Sequence, residues 1–140
     1  MTQHVDAPAN ASIGRALHVR ATQLSDVGLV RTENQDFAML TTPEEESDAR
    51  LEGRLLIVAD GMGGHRGGAT ASKLAATTIK AEFLSTDRSD IQQSLRRALE
   101  AANARIFSEA QSNPDLRGMG TTCSTLFTRD DTAYVAHVGD

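Results

Sequence analysis

Five apolar residues in an unbroken run, Leu55-Leu56-Ile57-Val58-Ala59, deliver Asp60 into the loop Gly61-Met62-Gly63-Gly64-His65-Arg66. A run that short, with β-branched Ile57 and Val58 inside it and glycines behind it, reads as a strand buried on both faces. Glycines serve where backbone must come close to another group or take positive φ. Upstream, Leu17, Val19 and Ala21 alternate with His18, Arg20 and Thr22, the pattern of a half-buried strand. The turn-prone Ser25-Asp26-Val27-Gly28 leads into the polar stretch from Val30 to Asp36, and Phe37 to Leu40 resume an apolar strand. Residues 41–53 hold Pro43, Glu44, Glu45, Glu46 and Asp48, and predict a solvated hairpin loop without a site role.

Beyond the glycine loop the period becomes helical. Over residues 69–84, Ala71, Leu74, Ala75, Thr78 and Ile79 share one face, while Lys73 and Lys80 point elsewhere. A second helix is predicted after Asp87-Arg88, with Ser89 and Gln92 spaced as a capping box. Its apolar stripe is Ile91, Leu95, Ala98, Leu99, Ala102 and Ile106, and Asn113-Pro114 ends it. Small and aliphatic residues dominate both stripes, which suits core packing rather than a ligand channel. Residues 121–128 are rich in β-branched side chains, Arg129-Asp130-Asp131 makes a turn, and Tyr134, Ala136 and Val138 alternate through a last strand. Strands, then two helices, then strands predict an α+β domain with antiparallel sheet packed on helices.

Residues 1–16 are polar and without period, and read as a flexible tail ahead of a domain over 17–140. The last strand ends on Gly139-Asp140 with no turn, cap or polar tail behind it. That leaves a sheet edge unpaired, and the expectation is a truncated product or fragment.

Composition narrows the class. A chain of 140 residues suits one domain, and 39% hydrophobic against 24% charged residues is a globular rather than a disordered balance. A net charge of -5 argues against a broad nucleic-acid or anionic-membrane surface. The single cysteine, Cys123, rules out an internal disulfide, and no run approaches membrane-spanning length. The expected location is therefore the cytoplasm.

Three aspartates, Asp36, Asp60 and Asp140, stand where predicted strands begin or end. Converging carboxylates repel one another unless a proton or cation is shared between them. Hard oxygen ligands without a cysteine or histidine cluster select Mg²⁺ or Mn²⁺ over zinc. Two such ions can bind a water, lower its pKa and aim it at phosphorus. Arg31, five residues before Asp36, could fork onto the oxygens of a phosphoryl group. These residues assemble into metal-assisted phosphate ester hydrolysis. Plainer roles stand beside each: a strand-to-helix turn for the glycine loop, a surface arginine for Arg31, a turn cap for Asp36. His65 reads equally as a loop histidine or a proton-transfer group, and His137 as a structural residue. Cys123 lacks a neighbouring base and reads as a small core residue, which counts against a cysteine-dependent phosphatase.

The segments Arg31-Thr32-Glu33-Asn34-Gln35-Asp36, Val58-Ala59-Asp60-Gly61-Met62-Gly63-Gly64-His65, Gly120-Thr121-Thr122 and Val138-Gly139-Asp140 occur in this order. In that order they resemble the N-terminal part of the catalytic domain of bacterial type-2C metal-dependent protein phosphatases, the PPM family. The resemblance implies a four-layer αββα arrangement, an antiparallel β-sandwich flanked by helices. It also implies a centre of two Mn²⁺ or Mg²⁺ ions, with a third possible, and hydrolysis of phosphoserine and phosphothreonine. By resemblance Asp60 bridges both ions, Gly61 offers its carbonyl to one, Asp36 is an acidic ligand acting through water or from behind the direct ligands, and Asp140 holds the weaker additional ion. Arg31 resembles the phosphate clamp. His65 matches the glycine-loop histidine near substrate, while the general acid of animal relatives aligns instead with Met62. The family's two later aspartates, in a D-G and a D-N segment, are not in this sequence. The expectation is that the chain is inactive or poorly folded alone, although the complete product is a phosphatase. Its expected partners are phosphorylated proteins of a cognate Ser/Thr kinase, with no nucleic acid and a monomeric state. The competing reading is a non-catalytic phosphatase-like module for binding or regulation, against which the intact Arg31, Asp36 and Asp60 speak. A variant reading keeps the chemistry and makes the substrate an anti-sigma antagonist.

Overall fold

The computed structural model describes residues 19–41, 53–63 and 66–140. The predicted tail, the acidic run with Asp48, and His65 lie outside the described residues. Strands β1 (Asp36–Thr41) and β2 (Arg54–Met62) precede helices α1 (Gly67–Ser85) and α2 (Ile91–Ser112). After a single 3-10 turn at Pro114–Leu116 come β3 (Gly120–Thr121), β4 (Cys123–Arg129) and β5 (Thr132–Val138). The strands form one antiparallel sheet in the order β1-β2-β4-β5, with β3 pairing against the end of β2.

The register shows why β3 and β4 behave as one strand. Val58 faces Ser124 and Gly61 faces Thr121, so the same pairing runs through both. Between them the Thr122 N–H donates to the Asp60 carbonyl at 2.9 Å. The sequence pattern predicted a single strand here, and only Thr122 interrupts it.

Both helices pack on one face of the sheet. Leu55 and Ile57 of β2 and Cys123 and Phe127 of β4 meet Ala76, Ile79 and Phe83 of α1 and Leu95, Ala98 and Ala102 of α2. Phe83 and Phe127 are the largest side chains in this core, with ring centroids 4.8 Å apart at an interplanar angle of 59°. That tilted geometry is favourable between aromatic quadrupoles.

The expectation of a strand buried on both faces is corrected. Leu55, Ile57 and Ala59 are buried, but Val58 is 56% exposed and Asp60 is exposed. The helices cover one face only. On the other face the register lines up Leu40, Leu56, Leu126 and Val135 across four strands. Among the described residues there is thus one sheet and one helical layer, the α+β arrangement of antiparallel sheet on helices. The alternating stretch around Val19 and Ala21 is also corrected, since residues 19–27 form no regular strand. Alternation favours a strand only when a neighbour supplies ladder hydrogen bonds, and no described strand pairs with it.

Helix α1 begins at Gly67, two residues ahead of the predicted start, and α2 is capped one residue later than predicted. The Gln93 N–H donates to Asp90 Oδ1 at 3.0 Å, so Asp90 is the N-cap, while the Ser89 N–H donates to Asp87 Oδ1 at 3.1 Å. A carboxylate at the helix start also meets the positive end of the helix dipole, which favours Asp90 over Ser89. Asn113 ends α2 as predicted. No helix among the described residues is long and apolar enough to cross a membrane.

These contacts set the expected cost of substitutions, read as urea-denaturation midpoints. Phe83→Ala removes one ring of the buried pair and lowers stability by about 3–5 kcal/mol. Asp90→Ala costs about 1 kcal/mol, whereas Ser89→Ala leaves the midpoint nearly unchanged.

Candidate metal centre

The β1–β2 ladder places Asp36 directly opposite Asp60. Directly opposed residues of an antiparallel pair project from the same face, with Cβ atoms about 4.5–5.5 Å apart. Both aspartates are exposed on the face the helices leave open. Desolvation at the sheet end and the neighbouring Asp60 charge hold the Asp36 carboxyl above the usual carboxylate range, while Arg31 pulls it down. A carboxyl whose ionisation a facing carboxylate opposes is one that a cation stabilises.

Several backbone ties fix these acids. The Asp60 carbonyl accepts the Thr122 N–H at 2.9 Å, and the Thr121 hydroxyl shares its one proton between the Asp60 carbonyl at 2.9 Å and the Thr122 carbonyl at 2.7 Å. The Asp36 N–H donates to Asn34 Oδ1 at 3.0 Å, and Asn34 Nδ2 donates to Ser25 Oγ at 2.7 Å. The Gly61 N–H donates to the Gln35 carbonyl at 3.1 Å, and Gln35 Nε2 reaches the Gly63 carbonyl at 3.3 Å.

Glycine is required at Gly61 for a packing reason. A Cβ there would collide with the Gly68 carbonyl and lie 2.6 Å from the Gln35 carbonyl. A Cβ at Gly68 would meet Gln35 Oε1 at 2.5 Å. The first turn of α1 therefore rests on the backbone of the residue after Asp60, and Gln35 closes the other side. Gly63 takes φ +138°, which turns the chain out of β2 toward that helix.

An open cleft of about 570 Å³ is lined by Val30, Arg31, Asp60, Gly61 and Met62, among others. The structure thus brings Arg31, Asp36, Asp60 and Gly61 together. Asp140 follows β5, two strand spacings from β2, which is about 10 Å. Among the described residues no group of three or more His, Cys, Asp or Glu side chains gathers where it could hold an ion. The donor set present, Asp60 on the cleft with Asp36 directly opposite it in the ladder, fits part of the shell of a hard divalent cation. Asp36, Asp60 and the Gly61 carbonyl are the groups that would hold it.

Sequence reasoning missed Asn34, Gln35 and Thr121 as the residues that hold the acids in place. Asn34 had a signal, because an Asn two residues before the N–H that donates to its side chain is Asx-turn spacing. The Thr121 contact spans 61 residues of sequence, and its signal was the place of Thr121 in the Gly120-Thr121-Thr122 segment. Cys123 is buried and its thiol is raised, first by burial, with Thr125 opposing. It is the small core residue the sequence predicted. His137 forms a hydrogen-bonded pair with Ser124 at 2.8 Å.

The fold has counterparts in known proteins. Residues 32–140 match the sequence model of protein phosphatase 2C, and the chain belongs to that family. It is 36% identical over 120 residues to protein phosphatase PhpP of Streptococcus pneumoniae, covering 84% of this chain and 46% of that protein. The serine/threonine phosphatase of S. agalactiae has a similar structure, with a TM-score of 0.71 at 34% identity over 84% of this chain and 47% of that one. The catalytic domain of PstP in complex with two manganese ions matches with a TM-score of 0.66 at 34% identity, covering 84% of this chain and 46% of its own. The chain spans about half the length of PhpP.

Two measurements check the packing at this site. Gly61→Ala forces α1 and Gln35 apart and lowers the urea midpoint by the equivalent of about 3 kcal/mol. The second concerns the Cys123 thiol, whose usual value is 9.0. Because the fold holds it higher, the unfolded chain loses that proton first as pH rises past the usual value. Stability contributed by the neutral thiol is therefore complete below that value and declines above it. Urea midpoints taken on either side show the decline, and Cys123→Val removes it.

Proposed function

We propose that this chain supplies the Asp36–Asp60 carboxylates and the Arg31 phosphate clamp of a metal-dependent protein-serine/threonine phosphatase. The observation that carries the reading is the pairing of Asp36 with Asp60 across one ladder, with Arg31 on the same cleft as Asp60. The names of the related bacterial phosphatases support the substrate class, and the manganese-bound PstP structure supports the choice of ion.

Bound Mn²⁺ or Mg²⁺ supplies Lewis acidity and a water that deprotonates near neutral pH. The chain's own residues do the rest. Asp60 and Asp36 present hard oxygens, and Thr121 and Thr122 hold the Asp60 backbone so that its carboxylate does not wander. Arg31 forks onto two non-bridging phosphoryl oxygens and orients the ester for in-line attack. Val30 and Met62 shape the lips of the cleft. The substrates are phosphorylated proteins of a Ser/Thr kinase pathway in the cytoplasm, and the working state is a monomer. Asp140 holds an additional, weaker ion, and His65 keeps the glycine-loop role that the family resemblance gives it.

The 140-residue chain alone is inactive in this reading, because the family's D-G and D-N aspartates are not in it. The assay is hydrolysis of p-nitrophenyl phosphate and a phosphothreonine peptide with Mn²⁺. A longer product carrying the two aspartates turns over both substrates, EDTA stops it, and Asp60→Ala abolishes it. In that product Thr121→Val, which frees the Asp60 carbonyl of one tie, lowers activity about 10–100-fold. EDTA-sensitive turnover by the 140-residue chain, lost in Asp60→Ala, would overturn the inactivity. Turnover indifferent to both EDTA and Asp60→Ala would overturn the metal centre.

A further inference from the structure

Ser124 and His137 face each other across the β4–β5 ladder on the open face of the sheet. Ser124 Oγ lies 2.8 Å from His137 Nδ1, and His137 Nε2 lies 2.9 Å from the Gly139 carbonyl. A carbonyl can only accept, so Nε2 carries a proton, and in the neutral ring Nδ1 keeps its lone pair. The Ser124 hydroxyl must then donate to Nδ1. A directed chain runs from Ser124 O–H through the imidazole to the Gly139 carbonyl.

The far end of that chain is where the backbone leaves the sheet. Ladder pairing stops at Val138 opposite Cys123, and Gly139 takes φ +112°. That conformation is open only to glycine, and a Cβ there would also lie 2.7 Å from Thr122 Cγ2. Gly139 thus packs on Thr122, whose N–H holds the Asp60 carbonyl at 2.9 Å. Asp36, Asp60, Thr122 and Gly139 form one row across the sheet, and Asp140 is attached to its end. Strand alternation would place Asp140 on the helix face, one residue out of phase with Gly139. The turn at Gly139 breaks that alternation, so whatever holds the Gly139 carbonyl also decides where the Asp140 carboxylate goes.

We propose that Ser124 and His137 are positioning residues for Asp140, clamping the Gly139 carbonyl so that the Asp140 carboxylate is presented to a divalent cation beside the Asp36–Asp60 pair. The inference rests on the metal centre proposed above. His137 neither ligates the ion nor touches substrate; its ring acts through the peptide after Val138.

The test is Mn²⁺ binding to the longer product that carries the two further aspartates, followed by electron paramagnetic resonance, with ring ¹⁵N shifts of His137 read alongside. The wild-type ring shows the Nε2–H tautomer. His137→Ala weakens the weakest Mn²⁺ site about 10–100-fold, as loss of an outer-shell partner does. His137→Gln, which keeps an N–H donor, restores part of that loss. Asp140→Asn weakens the same site, and the double variant His137→Ala/Asp140→Asn binds no more weakly than Asp140→Asn alone. Should His137→Ala fail to fold, Ser124→Ala carries the comparison, with an intermediate loss and a changed ring shift. The proposal is overturned by wild-type binding in His137→Ala, by losses that multiply in the double variant, or by a His137→Gln variant no better than His137→Ala. Asp60→Ala separates the two levels. If it removes Mn²⁺ binding while His137→Ala does not weaken it, this inference alone fails. If Asp60→Ala leaves binding intact, the metal centre fails and this inference with it.

Discussion

Two like charges stand face to face at Asp36 and Asp60, and the fold makes them do so by backbone register. Side-chain packing could relax to let two carboxylates drift apart. A ladder of paired peptides cannot, because moving Asp36 by one residue would turn every side chain of β1 to the other face. The six pairs from Asp36 opposite Asp60 to Thr41 opposite Leu55 therefore act as a rigid clamp on the acids. Their mutual repulsion costs free energy that burial of Leu55, Ile57 and Ala59 under the helices offsets.

The glycines behind Asp60 extend that constraint to the helical layer. With no side chain at Gly61 and Gly68, α1 rests directly on the strand end, and Gln35 fills the space beside it. The same segment that carries Arg31 thus contacts the backbone on which Asp60 depends. A phosphate clamp and a metal-ligating pair share one mechanical frame. Residues far apart along the chain, Gln35, Gly68 and Thr121, converge on two peptide units.

Much of the fold was legible because burial imposes a period. Both helices were readable from their apolar stripes, and Asn113-Pro114 marked the end of α2. The central strand was legible as a strand, but not its exposure: five apolar residues in a row look alike whether one face is covered or two. Which face the helices take depends on partners the local sequence does not encode. The alternation around Val19 failed for a related reason, since a period of two is only a permission to pair. At α2, Ser89 and Asp90 were both competent caps, and a single residue of helix phase chose between them.

The sequence by itself determined the chemistry on offer: Arg31, Asp36, Asp60 and Asp140, the glycines beside Asp60, and the order in which those segments occur. These are properties of side chains and local backbone freedom, and they survive translation into any register. Only the tertiary structure decided which of these groups meet. It set Asp36 against Asp60, left Asp140 two strands away at the sheet edge, and joined Ser124 to His137 and His137 to Gly139. Cross-strand register and strand order arise from contacts separated by tens of residues, and no local pattern encodes them.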